Sequence, residues 1–428
     1  MEDPTISIPV AAGPVVADVV VPGSKSIANR ALVCAALARG TTNLSNMAPG
    51  DDTMAMVDCL RSLGVGIEMI AERTRVEGRD GDIRGGATVD ARLAGTTSRF
   101  VTAVSALGGD ATTVDGGAAL RRRPMGELHD ALRELGANVV SSDGCLPVRV
   151  ARGGLSGGRI EMRGDVSSQF VSALMMIGPL LPDGLQIDLT TSLVSRPYVA
   201  ITATVMASFG ASGVTVGDHR ISVEAGSYTG CDYTIEADAS SASYPLAVAA
   251  ITNGSVRVEG LGEGALQGDA QFADIMEAMG CRVERTTTST TVIGTGSLHG
   301  VVIDMSDLSD LVPTVAAVAA FASSPTRITG VGFIRRKESD RLGDLVRGLS
   351  AIGCTAVEEE DGLRIEPMSI SGYHGARLSV HDDHRLAMSW SLLALTVPGV
   401  SVDDPAVVGK SWPEWWSVRR ALLQGARR

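Results

Sequence analysis

Lys25, Lys337 and Lys410 are the only lysines among 37 basic residues, and each lies in a short polar cluster. The clusters read Pro22-Gly-Ser-Lys25-Ser26-Ile-Ala-Asn29-Arg30, Lys337-Glu338-Ser-Asp340-Arg341 and Lys410-Ser-Trp-Pro. Codon usage in a GC-rich genome accounts for an arginine excess, and the same bias makes the surviving lysines candidates for function. Arginine is a planar, permanently charged fork, whereas lysine is a compact charge that can lose its proton when desolvated. Such clusters suit the capture of small phosphates and carboxylates, with a group beside them able to move a proton.

The elements that must position these residues recur along the chain. An apolar pair at i, i+3 followed by glycine and a small or β-branched residue occurs five times, ending at Gly64, Gly136, Gly210, Gly280 and Gly353. A near-constant spacing of about 70 residues marks tandem structural units. Each copy reads as an amphipathic helix closed by a C′ glycine and followed by a strand. A second segment, apolar almost all round, keeps the same beat six times, near Arg30, Arg99, Gln169, Ala242, Pro313 and Arg385. It reads as a helix buried on every side. The starts of these buried helices gather Lys25, Ser26 and Arg30; Thr96 and Arg99; Ser167, Ser168 and Gln169; Asp310; and His384 and Arg385. A helix start presents unpaired N–H groups and a partial positive charge, and so binds anions. Serine and aspartate there are ordinary caps, but cations are disfavoured, so their repetition implies an anionic ligand that offsets the repulsion.

Bulk properties bound the partners. A chain of 428 residues exceeds what one core supports, so two domains of roughly 200 residues, three units in each, are expected. The composition is that of a soluble globular protein, and a net charge of −12 argues against nucleic acid or an anionic membrane as partner. Six scattered cysteines without a C-x-x-C pair read as reduced, mostly buried thiols of a cytoplasmic protein. The N-terminus lacks a basic region followed by an apolar core, so no signal peptide is expected. The longest strongly apolar stretch, residues 311–322, contains a proline and is too short to span a bilayer.

The Lys25 cluster is no Walker A loop, because the second glycine and the order of the lysine are wrong. It resembles the signature of the enolpyruvyl transferases, in the form found in EPSP synthases. Further segments match that family in order: Leu93-Ala-Gly95-Thr96-Thr97-Ser-Arg99, Arg123-Pro124-Met125, Ser167-Ser168-Gln169-Phe170, Ser195-Arg-Pro-Tyr198, residues 304–310, Lys337-Glu338-Ser-Asp340-Arg341-Leu, Asp383-His384-Arg385-Leu-Ala-Met and Lys410-Ser-Trp-Pro. The resemblance implies an α/β fold of two inside-out barrels, helices within and strands toward solvent, built from six βαβαββ-type units. It implies one domain of residues 1–22 plus 239–428, a second of 23–238, and hinge crossovers near Pro22 and Ala239 that close over ligands. The implied activity is transfer of the enolpyruvyl group of phosphoenolpyruvate (PEP) to the 5-hydroxyl of shikimate 3-phosphate by a monomer, with no metal and no cofactor. By match to the family, Lys25, Gly95, Arg123, Gln169, Arg341, Arg385 and Lys410 would hold PEP. Lys25, Ser26, Arg30, Ser167, Ser168, Gln169, Ser195, Asp310 and Lys337 would hold shikimate 3-phosphate, with Thr96, Arg99, Tyr198 and His384 in support. Unit charges 4 Å apart interact by about 4 kcal/mol at an effective dielectric near 20, so two such anions side by side require several cations.

Addition followed by elimination needs a base at the attacking hydroxyl and a proton carrier at the PEP methylene. Asp310 is assigned to the hydroxyl and Glu338 with Lys25 to the carbon; a carboxylate among cations has a lowered pKa, so Lys25 is the alternative proton donor. Gly95 leaves room beside PEP, so glyphosate is expected to inhibit. Leu93, Phe100 and Phe333 depart from the family's common residues, which puts the shape of both subsites in question. UDP-N-acetylglucosamine enolpyruvyl transferase is the nearest rival, but its signature has Lys-Asn where this chain has Lys25-Ser26, and its loop cysteine falls at Ala118. A non-catalytic anion binder is the rival of another class, and it would be expected to lose Asp310, Glu338 or Lys25 first. Taken alone, Asp340 and Arg341 read as an exposed helical ion pair, and Asp383 and His384 as a helix cap rather than metal ligands. His129, His219, His299 and His374 read as surface residues, residues 358–361 as a solvated turn, and Trp412, Trp415 and Trp416 as packing.

Overall fold

The computed structural model describes residues 6–48, 50–70 and 73–425. Thirteen helices are described: α1 (Lys25–Leu37), α2 (Asp51–Ser62), α3 (Gly95–Ser105), α4 (Ala118–Arg121), α5 (Gly126–Glu134), α6 (Ser168–Ile177), α7 (Arg196–Ser208), α8 (Ala239–Thr252), α9 (Phe272–Ala278), α10 (Val312–Ala319), α11 (Arg341–Ala351), α12 (His384–Leu393) and α13 (Trp415–Gln424). No helix among the described residues is long and apolar enough to cross a membrane.

The two helix series alternate as the periodicity predicts. Helices α1, α3, α6, α8, α10 and α12 are buried along nearly their whole length. Helices α2, α5, α7, α9 and α11 bury one face and end beside Gly64, Gly136, Gly210, Gly280 and Gly353, whose φ values of 89°, 101°, 87°, 103° and 93° need a residue without Cβ. The sixth copy, α13, escaped the pattern. Its Gly425 stands 72 residues after Gly353, but Gln424 replaces the apolar residue, and the φ of −77° is one any residue adopts.

The chain forms two compact units, one holding the sequence up to Pro22 together with everything from Glu236, the other Gly23–Ile235. Each has its own hydrophobic core. Within each unit three buried helices are surrounded by three sheets, and the five four-stranded sheets of the two units share one rule: a strand, a parallel neighbour, then an antiparallel hairpin on the far side. Thr88–Asp90, Thr112–Asp115, Val148–Ala151 and Asn138–Ser141 follow it in that spatial order. Alternation along Thr41–Ser45, where Thr42 and Leu44 are buried and Thr41 and Asn43 exposed, puts one sheet face on the helices and one in water.

Three sheets join strands remote in the sequence. Val16–Val20 precedes α1 yet pairs parallel with Ser255–Glu259, and Asp232–Thr234 precedes α8 yet pairs parallel with Thr41–Ser45. Val16–Val20 thus joins the unit that resumes at Glu236, and Asp232–Thr234 closes the unit that began at Gly23. The sixth sheet is Arg377–Leu378, Ser401–Val402 and, antiparallel to the latter, Ile6–Ser7.

Several local expectations are settled here. His219, His299 and His374 are exposed, but His129 on α5 is fully buried, with Nδ1 3.0 Å from Ser141 Oγ. It falls on the apolar face of α5 between Leu128 and Leu132, so amphipathic position rather than residue type set its exposure. Of the acidic run, Glu360 and Asp361 form the turn, while Glu358 and Glu359 end a strand and pair with Arg335 and Arg327. Trp412 and Trp415 pack with ring centroids 5.2 Å apart, Trp415 also against Tyr244 at 5.5 Å. Only Lys25 lies at a helix start. Lys410 ends the 3-10 helix Pro405–Lys410 and Lys337 caps the C-terminus of Gly332–Arg336, so two of the three lysine clusters stand at helix ends rather than starts.

Candidate active site

In the Gly23–Ile235 unit, the starts of α1, α3, α6 and α7 carry the predicted residues. Ser24 caps α1 by accepting from the Ile27 N–H, and Lys25 and Ser26 occupy its first turn. Lys25 Nζ donates to Asp52 Oδ2 at 2.9 Å; Asp52, nearly fully buried, comes from the first turn of α2. Asp52 was missed from sequence, although it stands twelve residues before Gly64 as Arg341 stands twelve before Gly353. Ser167 caps α6 through the Gln169 N–H, and Gln169 Nε2 reaches Thr96 Oγ1 on α3 at 3.3 Å. Ser168 is buried at the first position of α6. Ser195 is held at φ 52°, a left-handed conformation that costs a non-glycine residue energy and is common at functional sites.

Arg30 is 2% exposed and donates four hydrogen bonds: Nε to Thr202 Oγ1 (2.7 Å), Nη1 to the Ser26 carbonyl (2.8 Å), and Nη2 to Ser172 Oγ (3.3 Å) and the Tyr198 carbonyl (3.1 Å). Its guanidinium lies 5.3 Å from the Phe100 ring centroid and 5.9 Å from that of Tyr198. Every partner is neutral, and burial lowers its pKa to about 10. The Phe100 departure is therefore a ring laid against a buried cation, and Ser172 and Thr202 are partners that no sequence motif signalled. Arg99, also buried, donates to the Gly95 carbonyl at 3.0 Å. Gly95 begins α3 where a Cβ would stand 2.5 Å from Arg123 Nη1, so the missing side chain is what admits the Arg123 guanidinium. Leu93 is half-buried in the turn before α3.

In the other unit the groups converge on Arg341, the first residue of α11. Its side chain is 1% exposed, which overturns the exposed ion-pair reading, and Asp340 instead caps α11 through the Gly343 N–H. Arg341 Nε donates to Asp383 Oδ2 (2.7 Å), Nη1 to Asp310 Oδ1 (2.9 Å) and Nη2 to Glu338 Oε2 (2.7 Å). Arg385 Nη2 donates to Asp310 Oδ2 at 2.7 Å. Lys337 Nζ is 3.7 Å from Asp310 Oδ1 and Lys410 Nζ is 3.6 Å from Glu338 Oε1. Four cations thus share three carboxylates, Asp310, Glu338 and Asp383. Asp383 caps α12 through the Arg385 N–H, as its position before His384 suggested, and His384 is buried at the first position of that helix. Phe333 places its ring centroid 5.8 Å from Lys337 Nζ, so this departure too meets a cation.

Burial alone would raise the Asp310 pKa, but Arg385, Lys337 and Arg341 outweigh it and hold the carboxyl well below the usual range. Asp269, buried before α9 and bonded to Ser240 Oγ, is pushed up to about 6 by burial and by the charge of Asp310. Burial would lower the Arg341 pKa, but Asp383, Glu338 and Asp310 raise it. Asp310 is thus held as an anion within a cluster of four cations, Arg341, Arg385, Lys337 and Lys410.

The family model for EPSP synthase (3-phosphoshikimate 1-carboxyvinyltransferase) matches residues 10–418. The chain belongs to the EPSP synthase family. It is 41% identical over 415 residues to the 3-phosphoshikimate 1-carboxyvinyltransferase of Methanosphaerula palustris, covering 96% of this chain and 97% of that one. It is 39% identical over 419 residues to that of Nostoc punctiforme, covering 96% and 98%. The solved EPSP synthase of Acinetobacter baumannii superposes with a TM-score of 0.81 at 25% identity, covering 98% of this chain and 97% of that one. The two-domain inside-out α/β barrel is the fold of the EPSP synthases, and this chain shares it.

Proposed function

We propose that this chain transfers the enolpyruvyl group of PEP to the 5-hydroxyl of shikimate 3-phosphate, giving 5-enolpyruvylshikimate 3-phosphate and phosphate. The observation that carries the mechanism is the ionised Asp310, held by Arg341 and Arg385 with Lys337 beside it. In this reading Asp310 accepts the proton of the attacking hydroxyl, and the anionic products of addition and elimination are stabilised by fixed cations rather than by solvent. Glu338, between Arg341 and Lys410, is assigned the proton exchanged at the PEP methylene carbon, with Lys25 as the alternative donor. Forks on Arg123, Arg341 and Arg385, with Lys410 and Gln169, suit the carboxylate and phosphate of PEP. Ser26, Ser167, Ser168, Ser195, Lys337 and the remaining N–H of Arg30 are assigned to shikimate 3-phosphate. A buried cation whose partners are all neutral is costly, and an anionic ligand at Arg30 offsets that cost. Glyphosate, an anionic competitor of PEP, is expected to inhibit. Free cysteines throughout suit a reducing cytoplasmic setting.

The test is phosphate release from PEP with shikimate 3-phosphate, with UDP-N-acetylglucosamine as the parallel acceptor and Lys25→Met as control. Release with shikimate 3-phosphate alone, lost in the variant, is the expected result. Release with the nucleotide sugar, or silence from a folded chain that still binds both anions, overturns the assignment.

A further inference from the structure

We infer that Asp383 is a positioning residue for PEP, setting two arginines through one carboxylate. The inference rests on the reading that Arg341 and Arg385 hold PEP. Asp383 is fully buried. Its Oδ2 accepts from Arg341 Nε at 2.7 Å, and its Oδ1 accepts from the Arg385 backbone N–H at 2.9 Å, with Arg341 Nη2 at 3.5 Å. The first contact fixes the plane of one guanidinium. The second fixes the start of α12 and so the root of the other. Both side chains then meet on Asp310, one on each oxygen.

The backbone shows that this placement is built in. His381 and Asp382, immediately before Asp383, both have left-handed φ values, 49° and 60°. Two consecutive non-glycine residues in that region persist only where the surroundings over-determine them. The same turn is tied to the helix that Arg341 begins, because His381 Nε2 lies 3.3 Å from Asp344 Oδ1 on α11. Ordinary capping does not need this. Ser24 caps α1 through the Ile27 N–H, and Asp340 caps α11 with Arg335 Nη1 no nearer than 3.7 Å, whereas Asp383 takes an arginine Nε at 2.7 Å.

Asp383→Asn separates the two roles. The amide can still cap α12 with its oxygen, but its NH2 then faces Arg341 Nε–H, donor against donor. Loss of orientation in ground state and transition state alike raises KM with little change in kcat. The expected result is a KM for PEP about tenfold higher, equal to about 1.4 kcal/mol, with shikimate 3-phosphate affinity unchanged. Arg341→Lys removes the fork itself, so in the double variant Asp383→Asn should add no further loss. If Asp383→Asn does not fold, Asp383→Ser keeps a capping oxygen without the opposed donor and is read the same way. An unchanged KM for PEP in a folded variant, full additivity with Arg341→Lys, or failure of both substitutions to fold overturns the inference. Absence of turnover in the wild-type chain overturns the functional reading and this inference with it, whereas wild-type turnover with an unmoved KM overturns the inference alone.

Discussion

Arg30→Lys tests whether Arg30 holds its unit together as well as binding ligand. The guanidinium gathers the carbonyls of Ser26 on α1 and Tyr198 on α7 with the hydroxyls of Ser172 on α6 and Thr202 on α7. It remains charged at neutral pH, since burial lowers its pKa only to about 10. Lysine keeps the charge but concentrates its donors on one atom, which cannot reach acceptors spread around a fork. Loss of two of the four bonds, at about 1.5 kcal/mol each for bonds to a charged group, removes about 3 kcal/mol. For a unit of about 200 residues each kcal/mol shifts the midpoint by roughly 2–4 °C, so calorimetry should show a fall of about 6–12 °C. Shikimate 3-phosphate affinity, measured in parallel by titration calorimetry, should fall too. A midpoint within about 2 °C of wild type, with affinity still lost, would show that the bonds to Ser172, Thr202, Tyr198 and Ser26 do not stabilise the unit.

Three more outcomes follow from burial and close approach. His129 is held neutral, its pKa lowered to about 4 by burial, so below the ordinary value of 6.5 the unfolded chain binds the proton and the folded chain does not. Stability of that unit should be full above pH 6.5 and fall by up to about 3 kcal/mol as pH drops toward 4, as denaturant melts would show, and His129→Leu should flatten that slope. Asp269 has the opposite sign. Its folded pKa of about 6 is raised above the ordinary 3.8, so the folded state holds the extra proton between those values and its unit loses stability as pH rises from about 4 to 6. Asp269→Asn should abolish that loss in melts of the same pH series. Gly95→Ala would set a methyl 2.5 Å from Arg123 Nη1, so the guanidinium must shift; KM for PEP should rise and glyphosate inhibition weaken, and unchanged steady-state kinetics for both would show that the side chain yields freely.

The sequence by itself determined the repeat, because hydrophobic period and C′ glycine are local properties: the buried helices and the helices ending at Gly64, Gly136, Gly210, Gly280 and Gly353 stand where their spacing puts them. It also determined the charged inventory, since the motifs around Lys25, Lys337 and Arg385 are contiguous. Tertiary structure decided which strand completes which sheet. Val16–Val20 pairs with Ser255–Glu259 and Asp232–Thr234 with Thr41–Ser45, and nothing local in either strand names a partner so remote in the chain. Pairing of charges was decided there too. Asp340 is the sequence neighbour of Arg341, yet the helix turns it to the cap and brings in Asp310 and Asp383 from 31 and 42 residues away. His129 and Asp52 were misjudged or missed for the same reason: exposure and partnership depend on what a helix face meets, and that is set by packing between segments remote in the chain.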